Sequence, residues 1–141
     1  MALMKLLLAV LVLAFSTFAA DMTYVSHDKV AASLAKSAPL VTASDLLVQG
    51  SHRTGPGQVE VHDKETDVFY ITDGSATFMT GGKMIGGKLT RPGQYLGTSI
   101  EGGETHHLTK GDVIVIPAGM PHWFKEVPQS VSYFVVKVLK Q

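Results

Sequence analysis

Glu60 and His62 stand two residues apart in the stretch GQVEVHDKETDVFYITDG, and Asp67 follows five residues after the histidine. Residues two apart on a strand share a face, so Glu60 and His62 point the same way. DKET reads as a turn, and Asp67 then opens a returning strand toward the same side. An acid, an imidazole and a second acid would converge on one point. Carboxylate oxygen and imidazole nitrogen are ligands that iron, manganese, nickel and zinc accept. The same pattern also describes a solvated strand face.

A second stretch, GDVIVIPAGMPH, runs from Gly111 to His122. Gly111 and Asp112 read as a turn, and Val113 to Ile116 as a buried strand. Pro117 has no N–H to donate, so ladder pairing stops there or shifts to an edge. Gly119 permits a positive φ and Pro121 stiffens the return. The backbone ahead of His122 is therefore heavily restrained, which suits a histidine that has to be aimed.

The elements that must position these groups are mostly strands. Ser26 to Lys36 predicts a short helix, with Ser26 as its cap and Val30 and Leu34 on one face. QVEVH alternates up to His62. VFYIT predicts a strand closed by a tight turn at Asp73-Gly74, SATFMT a second strand, and Gly81-Gly82 a further turn. Lys83 to Glu104 reads as a weak strand and loops. SVSYFVVKVL closes the chain, with Val131, Tyr133 and Val135 on one face and Phe134, Val136 and Val138 on the other. A strand apolar on both faces is covered on both, by the N-terminal helix or by a second subunit; a homodimer is the expectation. Short strands at even spacing with glycine turns predict an all-β sandwich or barrel.

At this point the chain resembles the cupin superfamily, the small single-domain type with one conserved barrel. The second cupin motif, Gly-x5-Pro-x-Gly-x2-His-x3-Asn, is matched by Gly111, Pro117, Gly119 and His122, with Glu126 where asparagine is usual. The first motif, Gly-x5-His-x-His-x3or4-Glu-x6-Gly, is matched in altered form. Glu60 takes the first histidine's place, His62 the second, Asp67 that of the glutamate and Gly74 that of the closing glycine, while Gly55 is one residue off. The resemblance covers about Leu46 to Leu139. It implies a double-stranded β-helix, the RmlC-like jelly-roll barrel, with a site in its mouth and often a dimer. By position the metal set is Glu60, His62, Asp67 and His122. Two histidines and two carboxylates suit a harder divalent ion than the usual three histidines and one glutamate. A site that has lost its metal, with the polar groups bonded to one another, is the competing outcome.

Further candidates line the expected cavity. His52 precedes Gly55 and reaches toward the mouth. His106 and His107 face opposite ways, so one of them at most points inward. Phe69 and Ile71 share the facing of Asp67, and Phe124 that of His122, while Trp123 packs outside. Arg53 and Arg91 are side chains able to recognise a carboxylate or phosphate on a ligand.

Composition narrows the classes. Twelve basic and twelve acidic residues balance, which argues against nucleic acid and anionic membrane as partners. There is no cysteine, and hence no thiol nucleophile or disulfide. No Gly-x-Ser-x-Gly elbow and no phosphate-binding loop is present. MALMKLLLAVLVLAFSTFAA has the order of a secretory signal peptide, with cleavage after Ala19 or Ala20. The expected organisation is a signal peptide over 1–19, a helical lead-in over 20–44 and the barrel over 45–141. The expected protein is exported, to the periplasm or the extracellular space, with no membrane attachment after cleavage. It binds a divalent metal (Mn, Fe, Ni or Zn) and a small-molecule ligand or substrate. The function classes left open are a metal-dependent enzyme (dioxygenase, isomerase or lyase), a metal-free small-molecule binder without turnover, and a metal-binding structural protein.

Overall fold

A computed structural model describes residues 21–140. The expected signal peptide over 1–19 lies outside the described residues. No helix among the described residues is long and apolar enough to cross a membrane.

Two antiparallel walls close around an apolar core. The chain enters through α1 (His27–Lys36), then β1 (Pro39–Thr42) and β2 (Leu46–Arg53). β1 pairs with β2, so part of the lead-in belongs to the sheet. There follow β3 (Val59–His62) and the long β4 (Glu65–Thr80). Next come β5 (Lys83–Ile85), β6 (Lys88–Arg91), β7 (Gln94–Gly97), β8 (Ser99–Glu101) and β9 (Glu104–Thr109). β10 (Val113–Ile116), β11 (His122–Glu126) and β12 (Val131–Leu139) complete the set. One wall is β1-β2-β12-β4-β10. The other is β9-β4-β11-β3-β7-β6, and β5 and β8 form a separate pair. The expected all-β jelly roll with one short helix is the fold observed.

β4 belongs to both walls. Its first half pairs with β12 and β10, its second half with β11 and β9. The hairpin expected at Asp73-Gly74 is therefore a bend inside one continuous strand. The register against β12 shifts between Ser132 and Tyr133, leaving Thr72 as the extra residue of a bulge. Gly74 sits at this corner with φ +76°, where an added Cβ would lie 2.0 Å from the Ser130 carbonyl oxygen, so only glycine fits. Lys83 to Glu104, expected to be mainly loop, carries β5 to β8. Of these, β7 is the flank on which β3 rests.

The core is Phe69, Ile71, Phe78, Leu108, Ile116 and Phe124 together with Val131, Tyr133 and Val135. These come from both walls, as inner-face alternation requires. β10 is less buried than its composition suggests: Val113 and Val115 point to the outer face of the wall and are more than half exposed, while Ile116 on the inner face is buried. α1 lies on β2 where Ser33 Oγ accepts the Gly50 N–H at 2.9 Å. Ser26 takes the N-cap position, but its side chain makes no capping bond; its carbonyl accepts from Val30 N–H instead.

Candidate metal centre

The turn between β10 and β11 carries the chain from one wall to the other. β10 ends where Ile116 pairs with Asp67, and β11 begins where His122 pairs with Glu60. Within the turn Met120 N–H bonds to the Pro117 carbonyl at 3.1 Å, and Gly119 takes φ +83°. Gly119 N–H then bonds to the His62 carbonyl at 2.7 Å. The two prolines and the glycine thus tie the backbone of one histidine to the turn that aims the other. The two imidazole centroids lie 5.2 Å apart.

Glu60, His62, Asp67 and His122 meet in one cluster. His62 Nε2 lies 3.2 Å from Glu60 Oε2 and 3.5 Å from Asp67 Oδ2. His122 Nε2 lies 3.9 Å from Glu60 Oε2 and 3.8 Å from Asp67 Oδ2. Both histidines and Asp67 are buried, whereas Glu60 is 29% exposed at the mouth.

Two side chains that sequence reasoning did not single out decide how this cluster divides. Lys137 on β12 pairs in register with Asp67. Its Nζ donates to both Asp67 oxygens, at 2.8 and 3.0 Å, and to Glu65 Oε2 at 3.0 Å. It also lies 3.3 Å from His62 Nε2. A signal was present, since Lys137 continues the inward series Val131, Tyr133, Val135, and a lysine on an apolar inner face requires a partner. Glu65 shares the facing of Asp67 and also meets Arg91 Nη2 at 3.5 Å. Two overlapping metal-capable sets result, Glu60–His62–His122 and His62–Glu65–Asp67. The second already holds an ammonium.

The first set fits a divalent cation. His122 Nδ1 donates to the Met120 carbonyl at 3.1 Å, which fixes the tautomer and leaves the Nε2 lone pair facing the cluster. Burial depresses the His122 pKa below its ordinary 6.5, against the raising influence of the Met120 bond and of Glu60 and Asp67, so the ring is neutral at pH 7. Burial alone would raise the Glu60 pKa. The hydrogen bond with His62 and the influence of the neighbouring His122, His62 and Arg53 side chains outweigh it and hold the carboxyl below 4.5. His62 Nδ1 is buried without a hydrogen-bond partner, and Glu65 Oε2 lies 3.6 Å away. A carboxylate behind an imidazole is the arrangement that orients a metal-bound histidine. Asp67 fits less well, because an ammonium already satisfies both of its oxygens.

The remaining candidates divide by position. Phe69 and Phe124 line a cavity of about 290 Å³ beside the cluster, and their rings stack at 5.9 Å. His52 lies at the cavity rim with Nδ1 2.8 Å from Ser132 Oγ. His106 shares the inner facing of Leu108 but stands apart from the cavity, its Nε2 meeting Thr80 Oγ1 at 2.9 Å. Arg53 enters the cavity, whereas Arg91 stays outside on Glu65. Trp123 faces away from Phe124 and donates Nε1–H to the Gly57 carbonyl at 2.8 Å.

A single β-barrel of two walls with an imidazole–carboxylate cluster in its mouth defines the class. The chain belongs to the cupin family, whose family model, described as "Cupin", matches residues 40–140. Among solved structures, a Bacillus halodurans protein is similar at a TM-score of 0.61 with 14% identity, over 85% of this chain and 83% of that one. The cupin domain of Schizosaccharomyces pombe Cnp3 is similar at a TM-score of 0.54 with 12% identity, over 74% of this chain and 60% of that one. An uncharacterized Klebsiella pneumoniae protein with a double-stranded β-helix domain gives a TM-score of 0.51 with 16% identity, over 74% and 76%. No curated protein matches the chain.

Proposed function

We propose that this cupin holds one divalent metal ion on Glu60, His62 and His122 and binds a small molecule in the adjoining cavity. The observation that carries the reading is the His122 geometry: a buried, neutral imidazole whose Nδ1 is locked on Met120 and whose Nε2 faces Glu60 and His62. Three protein ligands leave coordination positions open for a ligand, as in catalytic rather than structural sites. A bound divalent ion would supply Lewis acidity toward a ligand oxygen. The chain's own residues do the rest. Glu65 backs His62, Lys137 keeps Asp67 neutralised, and Phe69 and Phe124 give the cavity an apolar wall. Elemental analysis of protein purified without chelator tests this, beside a His122→Ala variant. About one metal per chain, lost in the variant, is expected; a metal-free wild type after loading with Mn, Fe, Ni and Zn would sink the reading.

One observation favours a second reading, that of a metal-free binding protein. Lys137 already brings a cation to Asp67, Glu65 and His62. Under that reading the cluster is a closed polar network, and divalent ions leave the melting temperature unchanged.

Export to the periplasm or beyond is part of the proposal and rests on the signal-like order of residues 1–19. The mature N-terminus, read by mass spectrometry, tests it. A homodimer is proposed as well. Val113, Tyr70 and Phe134 form one outward row across β10, β4 and β12, and Val115, Val68 and Val136 the next. Tyr70, Val113, Val115 and Val138 are each 46% exposed or more, and contiguous exposure of this kind marks an interface. Light scattering should give twice the chain mass, reduced to one in Val115→Lys.

A further inference from the structure

Arg53 is held in the cavity more tightly than a surface arginine. It leaves β2 on the inner face, opposite the fully buried Val131. Its guanidinium lies over the Phe124 ring, 5.0 Å from the centroid. Its Nε donates to Tyr133 Oη at 3.1 Å. The Gly57 backbone also comes so close that a Cβ there would lie 2.9 Å from Arg53 Nη1. Gly57 is itself pinned, with its N–H on the Phe124 carbonyl at 2.9 Å and its carbonyl on the Trp123 indole. An aromatic ring and a close glycine backbone thus confine a planar cation, and the Tyr133 bond fixes its rotation. Among the described residues, the one carboxylate near its outer nitrogens is Glu60, at a loose 3.8 Å.

We propose that Arg53 is the anchor for a carboxylate, so that the molecule received in the cavity is a small organic carboxylate. This rests on the reading above for the site beyond Arg53, and on the confinement of Arg53 alone for the anion. Two acidic side chains, Glu60 and Asp67, and two basic ones, Arg53 and Lys137, line the cavity. A divalent ion taken by Glu60, His62 and His122 leaves that balance two positive charges in excess and draws Glu60 away from Arg53. A guanidinium that is fixed and desolvated on one face binds a carboxylate through two parallel N–H groups. Lys137 is committed to Asp67 and Glu65 and offers no second free cation, so a monoanion fits better than a phosphate dianion. Phe69, Phe124 and Val135 then meet the apolar body of the ligand.

Calorimetric titration with benzoate, neutral benzamide and inorganic phosphate, on chelator-treated and on Zn²⁺-loaded protein, tests this. Benzoate should bind the loaded protein at least about 10-fold tighter than benzamide, as hydrogen bonds to a charged group predict. Arg53→Met should abolish that preference, and Arg53→Lys should restore only part of it, since an ammonium lacks the fork. In chelator-treated protein, Glu60→Gln should strengthen benzoate binding by removing the competing carboxylate. A preference that survives Arg53→Met, equal binding of benzoate and benzamide, no benzoate binding to either form, or tighter binding of phosphate would each overturn the assignment. If the chain takes up no metal but the Arg53-dependent preference persists in chelator-treated protein, the metal reading falls and this one stands. If zinc loads and no such preference appears, the reverse holds.

Discussion

The two walls of the barrel mouth offer the same kinds of group and use them differently. The β3–β11 wall presents Glu60, His62 and His122, and among the described residues its carboxylate meets a cationic side chain only loosely, Arg53 at 3.8 Å from Glu60. The β4–β12 wall presents Glu65 and Asp67, and Lys137 fills the space between them. His62 touches both, with Nε2 facing Glu60, Asp67 and Lys137. The difference teaches that ligand type does not define a cation site. What defines it is whether a neighbouring strand has already delivered a charge to it.

Removing Lys137 should have the largest effect. Lys137→Met leaves Asp67, 2% exposed, without its cation, and breaking a buried ion pair costs about 3 kcal/mol or more. Urea unfolding of metal-free protein should show that loss. Added Zn²⁺ should recover much of it, since the freed carboxylate can then join the metal. A variant as stable as the wild type would mean that the two walls do not differ.

The walls separate next by metal affinity. Glu60→Gln should weaken Zn²⁺ binding by more than about 100-fold, beyond the loss usual for a residue one step removed from the metal, whereas Asp67→Asn should change it by less than about 10-fold. Competition against a chromophoric chelator reads both. Equal losses would make Asp67 a ligand and erase the distinction.

The smallest effect is a pH dependence near neutrality, which His122 on the open wall supplies. The folded His122 pKa lies below the 6.5 of the unfolded chain, so between the two values the unfolded chain binds more protons. The associated stability is present above pH 6.5 and is lost as pH falls from there through the folded value. The folded Glu60 pKa is likewise below its ordinary 4.5, so its contribution is fully present above pH 4.5 and is lost as pH falls from there through the folded value. Metal-free wild type should therefore lose more stability between about pH 7 and pH 5.5 than His122→Gln does. Equal slopes would show that His122 is not the group responsible.

Much of this site can be read along the chain. Period-two alternation puts Glu60 beside His62, and the Pro117–Gly119–Pro121 spacing fixes the turn before His122, because both are properties of a few consecutive dihedrals. Neither Asp73-Gly74 nor Lys83–Glu104 is legible in the same way. A glycine with φ +76° serves a hairpin and a strand bend equally, and only the Ser130 backbone lying against Gly74 selects the bend. The short strands β5 to β8 carry weak patterns of their own and exist through their pairing with each other and with β3.

The sequence by itself determined an all-β barrel, its inner-face apolar residues, the shared side of Glu60, His62 and Asp67 and the restrained turn before His122, while the meeting of His122 with the other three was implied by the cupin resemblance. The first group follows from local periodicity and from backbone restraint within single turns. Only the tertiary structure decided that Asp67 answers to Lys137, 70 residues away, and that Arg53 lies against both Gly57 and Phe124. The physical reason is register. Which residue of β12 faces Asp67 is settled by the alignment of whole strands, and a shift of one position would turn Lys137 to the other face of its wall.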